Sequence, residues 1–203
     1  MSPQKTHAPT QRSRSRALFF ASALLWSQTS LVACAHTPVV QDSAREISFQ
    51  TESPQNLPVI DRFHQVAPGI FRGARPGKRG LEELARLGFK TDLNLDSDDD
   101  EAEFERGWAH DQGLQFIDER LSGFWRPNAT QVRRILEFVK NPANHPIFIH
   151  CKHGRDRTGL IVALHRVFHE NWSPEQAYEE WRAMGYRPIL FLLEDFYWDL
   201  TRP

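Results

Sequence analysis

Apolar positions along the chain fall into short runs separated by polar turns, and the spacing within each run predicts its element. Phe63–Phe71 alternates weakly and runs into Arg72-Gly73-Ala74-Arg75-Pro76-Gly77, a strand ending in a turn. Leu81, Leu84, Ala85 and Leu87 keep helical spacing, and Gly88 ends that helix. Thr91–Leu95 is a second strand. Ser97 is then placed to cap a helix whose first turn holds Asp98, Asp99, Asp100 and Glu101, acids favoured at a helix N-terminus. Leu114–Ile117 is a further strand, followed by Asp118–Leu121 and the loop Ser122–Asn128. Val132, Ile135, Leu136 and Val139 mark the inner face of a helix over Ala129–Asn141. Pro146–Ile149 is an apolar run, and a helix follows from Thr158 to about Glu170. Ser173 and Pro174 supply the cap and first position of the next helix, and residues 188–200 form a last amphipathic helix rich in aromatics. Strands alternating with helices predict an α/β fold in a single domain, with a central, mostly parallel sheet flanked by helices.

The N-terminal pattern differs. Lys5, Arg12, Arg14 and Arg16 precede the apolar segment Ala17–Trp26, and small residues lead to Leu31-Val32-Ala33-Cys34. A positive flank and a short apolar core describe a secretory signal, too short and broken for a membrane span. Leu31-Val32-Ala33-Cys34 resembles the bacterial lipobox, in which cleavage precedes a cysteine that is lipidated. The expected organisation is a lipoprotein-type signal over residues 1–33, lipidation at Cys34, a flexible tether over 34–57, and a folded domain over 58–203. The location expected is the bacterial periplasm or outer membrane, held by that lipid anchor. Ordinary cleavage at Ala33-Cys34-Ala35, giving a soluble secreted protein, is the alternative.

Composition adds limits. A net charge of −1 gives no case for nucleic-acid binding, so basic character that matters must be local. The only cysteines are Cys34 and Cys151, which is no disulfide framework. The acidic run from Asp98 to Glu101 has no calcium-loop pattern and reads as a solvated helix start. His165 and His169 lack the glutamate of a zinc-peptidase motif and read as surface or core histidines.

The local basic character sits at His150-Cys151-Lys152-His153-Gly154-Arg155-Asp156-Arg157-Thr158-Gly159, between a strand and a helix. Backbone N–H groups of such a loop, at the positive end of a helix, can cradle a phosphate, and the same field favours a thiolate. Cys151 would attack phosphorus and form a phosphocysteine that water hydrolyses. Arg157 offers a planar fork to two phosphate oxygens. Thr158 is placed to hydrogen-bond the sulfur, His150 to orient loop and thiolate from behind, and Gly154 to let the backbone turn without a Cβ near the phosphate. The bland reading of Cys151 is a buried structural cysteine. No cofactor or metal is needed for the chemistry proposed.

His-Cys-x-x-Gly-x-x-Arg-Thr-Gly is the signature of the protein tyrosine and dual-specificity phosphatase superfamily. The longer run Asn144–Arg155 resembles plant and fungal atypical dual-specificity phosphatases, several of which act on inositol pyrophosphates, as do Ile70–Pro76 and Leu84–Leu95. The likeness covers roughly residues 59–185. Members usually place an aspartate acid on a loop about thirty residues before the cysteine, but Ser122–Asn128 contains no carboxylate. The nearest are Asp118 and Glu119. Asp156 gives the loop a Gly-x-Asp-Arg-Thr run like that of myotubularin-type phosphoinositide phosphatases, in which resemblance the aspartate is a proposed acid. Flanking Arg155 and Arg157 favour its ionised form and bound phosphate opposes this, so proton donor and charged spectator both stay open. Asp156 ranks first as donor and Asp118 second.

Lys152, Arg155 and Arg157, with His153 at low pH, supply more charge than one phosphotyrosine needs, and point to inositol polyphosphates or phosphoinositide headgroups. Arg72, Arg75, Lys78 and Arg79 would either extend that surface or serve as exposed solubilising charge. Trp125 and Arg126 line the pocket rim, or Trp125 packs the loop on the core. The expected protein is a monomeric phosphatase of such substrates. Its alternatives are a protein tyrosine or dual-specificity phosphatase and an inactive phosphate-binding module.

Overall fold

Ile147–Cys151, an apolar strand buried along its whole length, is the middle of the sheet. A strand covered on both faces belongs at the centre of a parallel sheet, and the computed structural model places it there. The structure describes Leu57 and residues 59–202. The expected signal segment, Cys34 and all of the tether except Leu57 lie outside the described residues. Leu57 itself is buried, so the folded body reaches one residue into the segment expected as tether.

The strands are β1 (His64–Ala67), β2 (Ile70–Ala74), β3 (Thr91–Asn94), β4 (Gln115–Asp118) and β5 (Ile147–Cys151), in the sheet order β1-β2-β5-β3-β4. All neighbours are parallel except β1 and β2, so the expected mostly parallel sheet is present. The single strand expected over Phe63–Phe71 is a hairpin instead. Pro68-Gly69 turns the chain, with Gly69 at φ +77°, and Ala67 pairs with Ile70.

Helices α1 (Gly77–Arg86) and α2 (Asp99–Asp111) cover one face. Helices α3 (Ala129–Lys140), α4 (Asp156–His169), α5 (Pro174–Ala183) and α6 (Phe191–Thr201) cover the other. The two-residue period of β5 divides its side chains between the layers. Ile147, Ile149 and Cys151 join the cluster under α3 to α6, whereas Phe148 joins that under α1 and α2. His150 therefore points toward α2, and Cys151 ends the strand where α4 begins.

Two helix starts test the capping expectations. Ser173 forms a capping box with Gln176. At α2 the cap is Asp98, which accepts from Glu101 N at 3.4 Å, and not Ser97, whose hydroxyl is taken by Arg157 at 3.2 Å. The acidic first turn is solvated as expected, with Asp99 and Asp100 exposed, and it also carries ion pairs: Arg75 with Glu101 at 3.0 Å, and Arg120 with Asp99. Among the described residues, no helix is long and apolar enough to cross a membrane.

Candidate active site

The loop 152–155 is held by its carbonyls. Arg72 of β2 donates to Gly154 O at 2.8 Å, and Arg155 O accepts from Trp181 Nε1 at 3.1 Å and from Gly159 N at 3.1 Å. Carbonyls tied outward to the scaffold leave amides facing the sulfur, and the N–H groups of His153 and Thr158 act on it. Gly154 is required by close approach: at φ +67° a Cβ there would lie 2.4 Å from the carbonyl of Gly73. The obstacle is thus the β2 backbone. Gly159 has a similar duty, since its Cβ would come 2.1 Å from the Trp181 ring.

Cys151 is buried, which by itself raises a thiol pKa. The Arg157 guanidinium, the Thr158 hydroxyl and the two backbone N–H groups outweigh burial and hold the thiol below its ordinary value. Thr158 Oγ1 is buried with no fully formed hydrogen bond, so the nearby sulfur is the acceptor it serves. Arg157 uses one nitrogen, Nη1, for Asp96 Oδ1 at 3.0 Å, Ser97 Oγ at 3.2 Å and Leu121 O at 3.3 Å. Those contacts aim the side chain through Nη1, and its Nε–Nη2 edge can offer a two-nitrogen fork to an anion.

His150 is wholly buried behind the loop, its ring stacked on Phe148 at 5.7 Å. Its Nε2 lies 3.1 Å from Asp92 of β3 and 3.6 Å from Glu105 of α2, both also buried. The 3.1 Å approach is off the N–H axis, so it is an ion-pair contact without a formed hydrogen bond. Burial lowers the imidazole pKa, but the charges of Glu105 and Asp92 outweigh this and push it up to about 9. Burial pushes Glu105 up to about 7 against the opposing pull of His150. Asp92, Glu105 and His150 each present one ligand atom within 4.8 Å of the others and could hold a metal ion. A proton on Glu105 beside a protonated His150 neutralises the same cluster without one.

Other expected residues move from their assigned roles. Arg72 is buried under the loop, and burial lowers its pKa to about 10, so it is no exposed turn charge. Arg75 is committed to Asp96, Asp98 and Glu101, whereas Lys78 and Arg79 are exposed. Trp125 is 75% exposed and so does not pack its loop on the core. Asp156 is buried, with Oδ1 accepting from Arg187 N at 3.0 Å and Oδ2 from Arg187 Nη2 at 2.9 Å. Asp118 pairs with Arg106 at 3.1 Å and Arg120 at 3.0 Å, and accepts from Asn94 at 3.1 Å. Both carboxylates ranked as donors, Asp156 first and Asp118 second, are thus held in ion pairs with arginine. Sequence reasoning missed Asp96, the carboxylate that touches Arg157. Burial would raise its pKa, but Arg157 and Arg75 hold it below the ordinary range. Its signal was position, just past the carboxyl end of β3, where parallel sheets gather their sites.

A profile described as the tyrosine phosphatase family matches residues 57–188. The dual specificity protein phosphatase TpbA of Pseudomonas aeruginosa is 28% identical over 139 residues, covering 67% of this chain and 62% of that protein. The inositol diphosphatase SIW14 of Saccharomyces cerevisiae is 29% identical over 141 residues, covering 67% and 50%. The chain thus spans only half to just under two thirds of the length of these relatives. The crystal structure of TpbA matches with a TM-score of 0.59 at 25% identity, over 72% of this chain and 91% of that one. The SIW14 catalytic core in complex with citrate matches with a TM-score of 0.60 at 26% identity, over 70% and 88%.

Proposed function

The chain belongs to the tyrosine phosphatase family, and from that premise we propose that it is a cysteine-dependent phosphatase of polyphosphorylated inositols, acting best where the leaving group is itself a phosphate. One observation carries this reading: Asp156, Asp118 and Asp96 are each engaged by arginine, and none offers a free acid at the loop. An alcohol leaving from phosphorus needs a proton, whereas a phosphate leaving from a diphosphate needs little or none. The charge of Lys152, Arg155 and Arg157 suits a substrate with several phosphates, and relatives named inositol diphosphatases support it.

In the proposed reaction the Cys151 thiolate forms the S–P bond as the P–O bond to the bridging oxygen breaks, and the electron pair leaves on the departing phosphate. Arg157 and the loop amides hold the equatorial oxygens. Water then attacks phosphorus, Cys151 leaves as thiolate, and the water protons pass to phosphate and solvent. A lowered thiol pKa and an aimed Arg157 argue against an inactive binding module.

Phosphate release from an inositol diphosphate, inositol hexakisphosphate and a phosphotyrosine peptide, at equal concentration, tests this. The diphosphate should be turned over at least about tenfold faster than the others; preference for the peptide sinks the reading. The second reading, a tyrosine or dual-specificity phosphatase, draws on the exposed Trp125 ring and on TpbA, whose crystal structure has been solved in complex with phosphotyrosine. The proposed location is a membrane anchored through Cys34. Labelled palmitate should enter the chain in bacteria and be lost in Cys34→Ala; equal labelling refutes the anchor.

A further inference from the structure

Four large apolar side chains stand in solvent beside the catalytic loop. Phe124 is 78% exposed and Trp125 75% exposed in the loop after β4, while Ile189 is 79% and Phe191 58% exposed in the segment entering α6. The two segments are neighbours: a Cβ at Gly123 would lie 3.9 Å from Leu190, and Arg126 pairs with Asp199 at 2.5 Å. Both border the mouth. Leu121 O accepts from Arg157 at 3.3 Å, and Arg187 holds Asp156 at 2.9 Å. Single exposed apolar residues need no explanation, but a patch of them at the mouth of a site marks an interaction surface.

The charge beside this patch chooses the partner. Lys152 and His153 are exposed on the loop, and Arg155 is half-buried with its Nε lacking any hydrogen-bond partner. A freely dissolved, heavily hydrated polyphosphate has no use for aromatic walls. An anionic bilayer meets both features, since aromatic rings settle at headgroup depth while cations meet lipid phosphate. We infer that the mouth of the site docks on an anionic lipid bilayer, with Phe124, Trp125, Ile189 and Phe191 entering the interface, and that the diphosphate attacked is one a lipid presents there. This rests on the cysteine-phosphatase reading above: it keeps the phosphate leaving group and exchanges the dissolved inositol that carries it for a lipid. The chemistry is unchanged: the terminal phosphate passes to Cys151 and then to water, leaving a lipid monophosphate.

The test uses the full chain. The Cys151→Ser protein is sedimented with phosphatidylcholine vesicles, with and without phosphatidylglycerol, alone and carrying Phe124→Ser, Ile189→Ser and Phe191→Ser together. Because the apolar segment near the N-terminus is common to both proteins, the difference between them reports on the rim. Vesicle affinity should fall at least about tenfold on losing three inserted side chains. With Cys151 intact, the same rim changes should slow a polyprenyl diphosphate in vesicles by a similar factor and leave a soluble aryl phosphate unchanged. Sedimentation indifferent to the rim overturns the inference, as does equal slowing of vesicle and soluble substrates, which would make the rim part of a pocket for soluble ligands or peptides. If docking holds but neither substrate is cleaved, the phosphatase reading fails alone; if the aryl phosphate is cleaved and the polyprenyl diphosphate is not, the lipid-borne substrate is overturned. If soluble turnover holds but rim-dependent sedimentation is absent, the docking fails alone.

Discussion

Asp156 lies next to Arg157 in sequence, yet its two oxygens accept three hydrogen bonds from Arg187, thirty-one residues further on. A carboxylate held that way at the first residue of α4 anchors Arg187, and with it the chain entering α6, against the loop. Asp156→Asn is therefore expected to slow aryl phosphates and alkyl phosphates by the same factor, and to lower stability by about 2 kcal/mol, the usual worth of hydrogen bonds to a charged group. Arg187→Ala should lower it comparably. Steady-state rates on the two ester types, with thermal unfolding of both variants, check this. Selective slowing of the alkyl ester would restore Asp156 as proton donor. Residue order could nominate Asp156 because it sits inside the signature, but the partner that disposes of its charge arrives only through folding.

The same distinction holds for whole elements. The strand, loop and helix around Cys151 were legible because a short apolar run, a glycine-bearing turn and a second apolar run declare themselves locally. The β1–β2 hairpin was not, because weak alternation hid the Pro68-Gly69 turn, and with it the fact that Arg72 lies on a strand beneath the loop. Nor could the sequence show that β3 and α2 deliver Asp92 and Glu105 to His150, since only the pairing of β3 with β5 and the packing of α2 bring them together. That cluster should act on the Cys151 thiol. A protonated His150 behind Cys151 favours the thiolate, and its removal would take away that positive charge and leave the Asp92 carboxylate to oppose it. His150→Gln, in a Cys34→Ala background, should raise the thiol pKa and so slow alkylation near pH 6 by up to about tenfold. Iodoacetamide rates across pH read this directly. An unchanged midpoint with an intact fold would assign His150 to packing alone.

Across the whole molecule, charges buried near the sheet make stability depend on pH in two opposed ways. Asp96 and Glu119 have depressed pKa values, chiefly through arginines despite some burial, so their contribution is present above the ordinary carboxylate range and is lost as pH falls through the folded values. Glu105 and His150 run the other way. Glu105 rises from 4.5 to about 7, so its contribution is present below 4.5 and lost as pH climbs through about 7. His150 rises from 6.5 to about 9, so its contribution is complete below 6.5 and gone above about 9. The depressed thiol of Cys151 works against this last loss, favouring the folded state as pH rises toward 9.0. The unfolding midpoint should therefore peak near pH 5, by order of magnitude of these windows, and decline on the alkaline side. Glu105→Gln removes a group that ionises at a loss inside the fold, so its midpoint should change little between about pH 5 and 7, where the parent falls. Cys151→Ser should steepen the decline above that range. Thermal unfolding in matched ionic strength at successive pH values decides the matter. A parent midpoint that stays level up to the alkaline end would mean that the buried cluster under the loop is balanced by something other than its own protons, and a bound cation at Asp92, Glu105 and His150 would then be the first candidate to assay by elemental analysis.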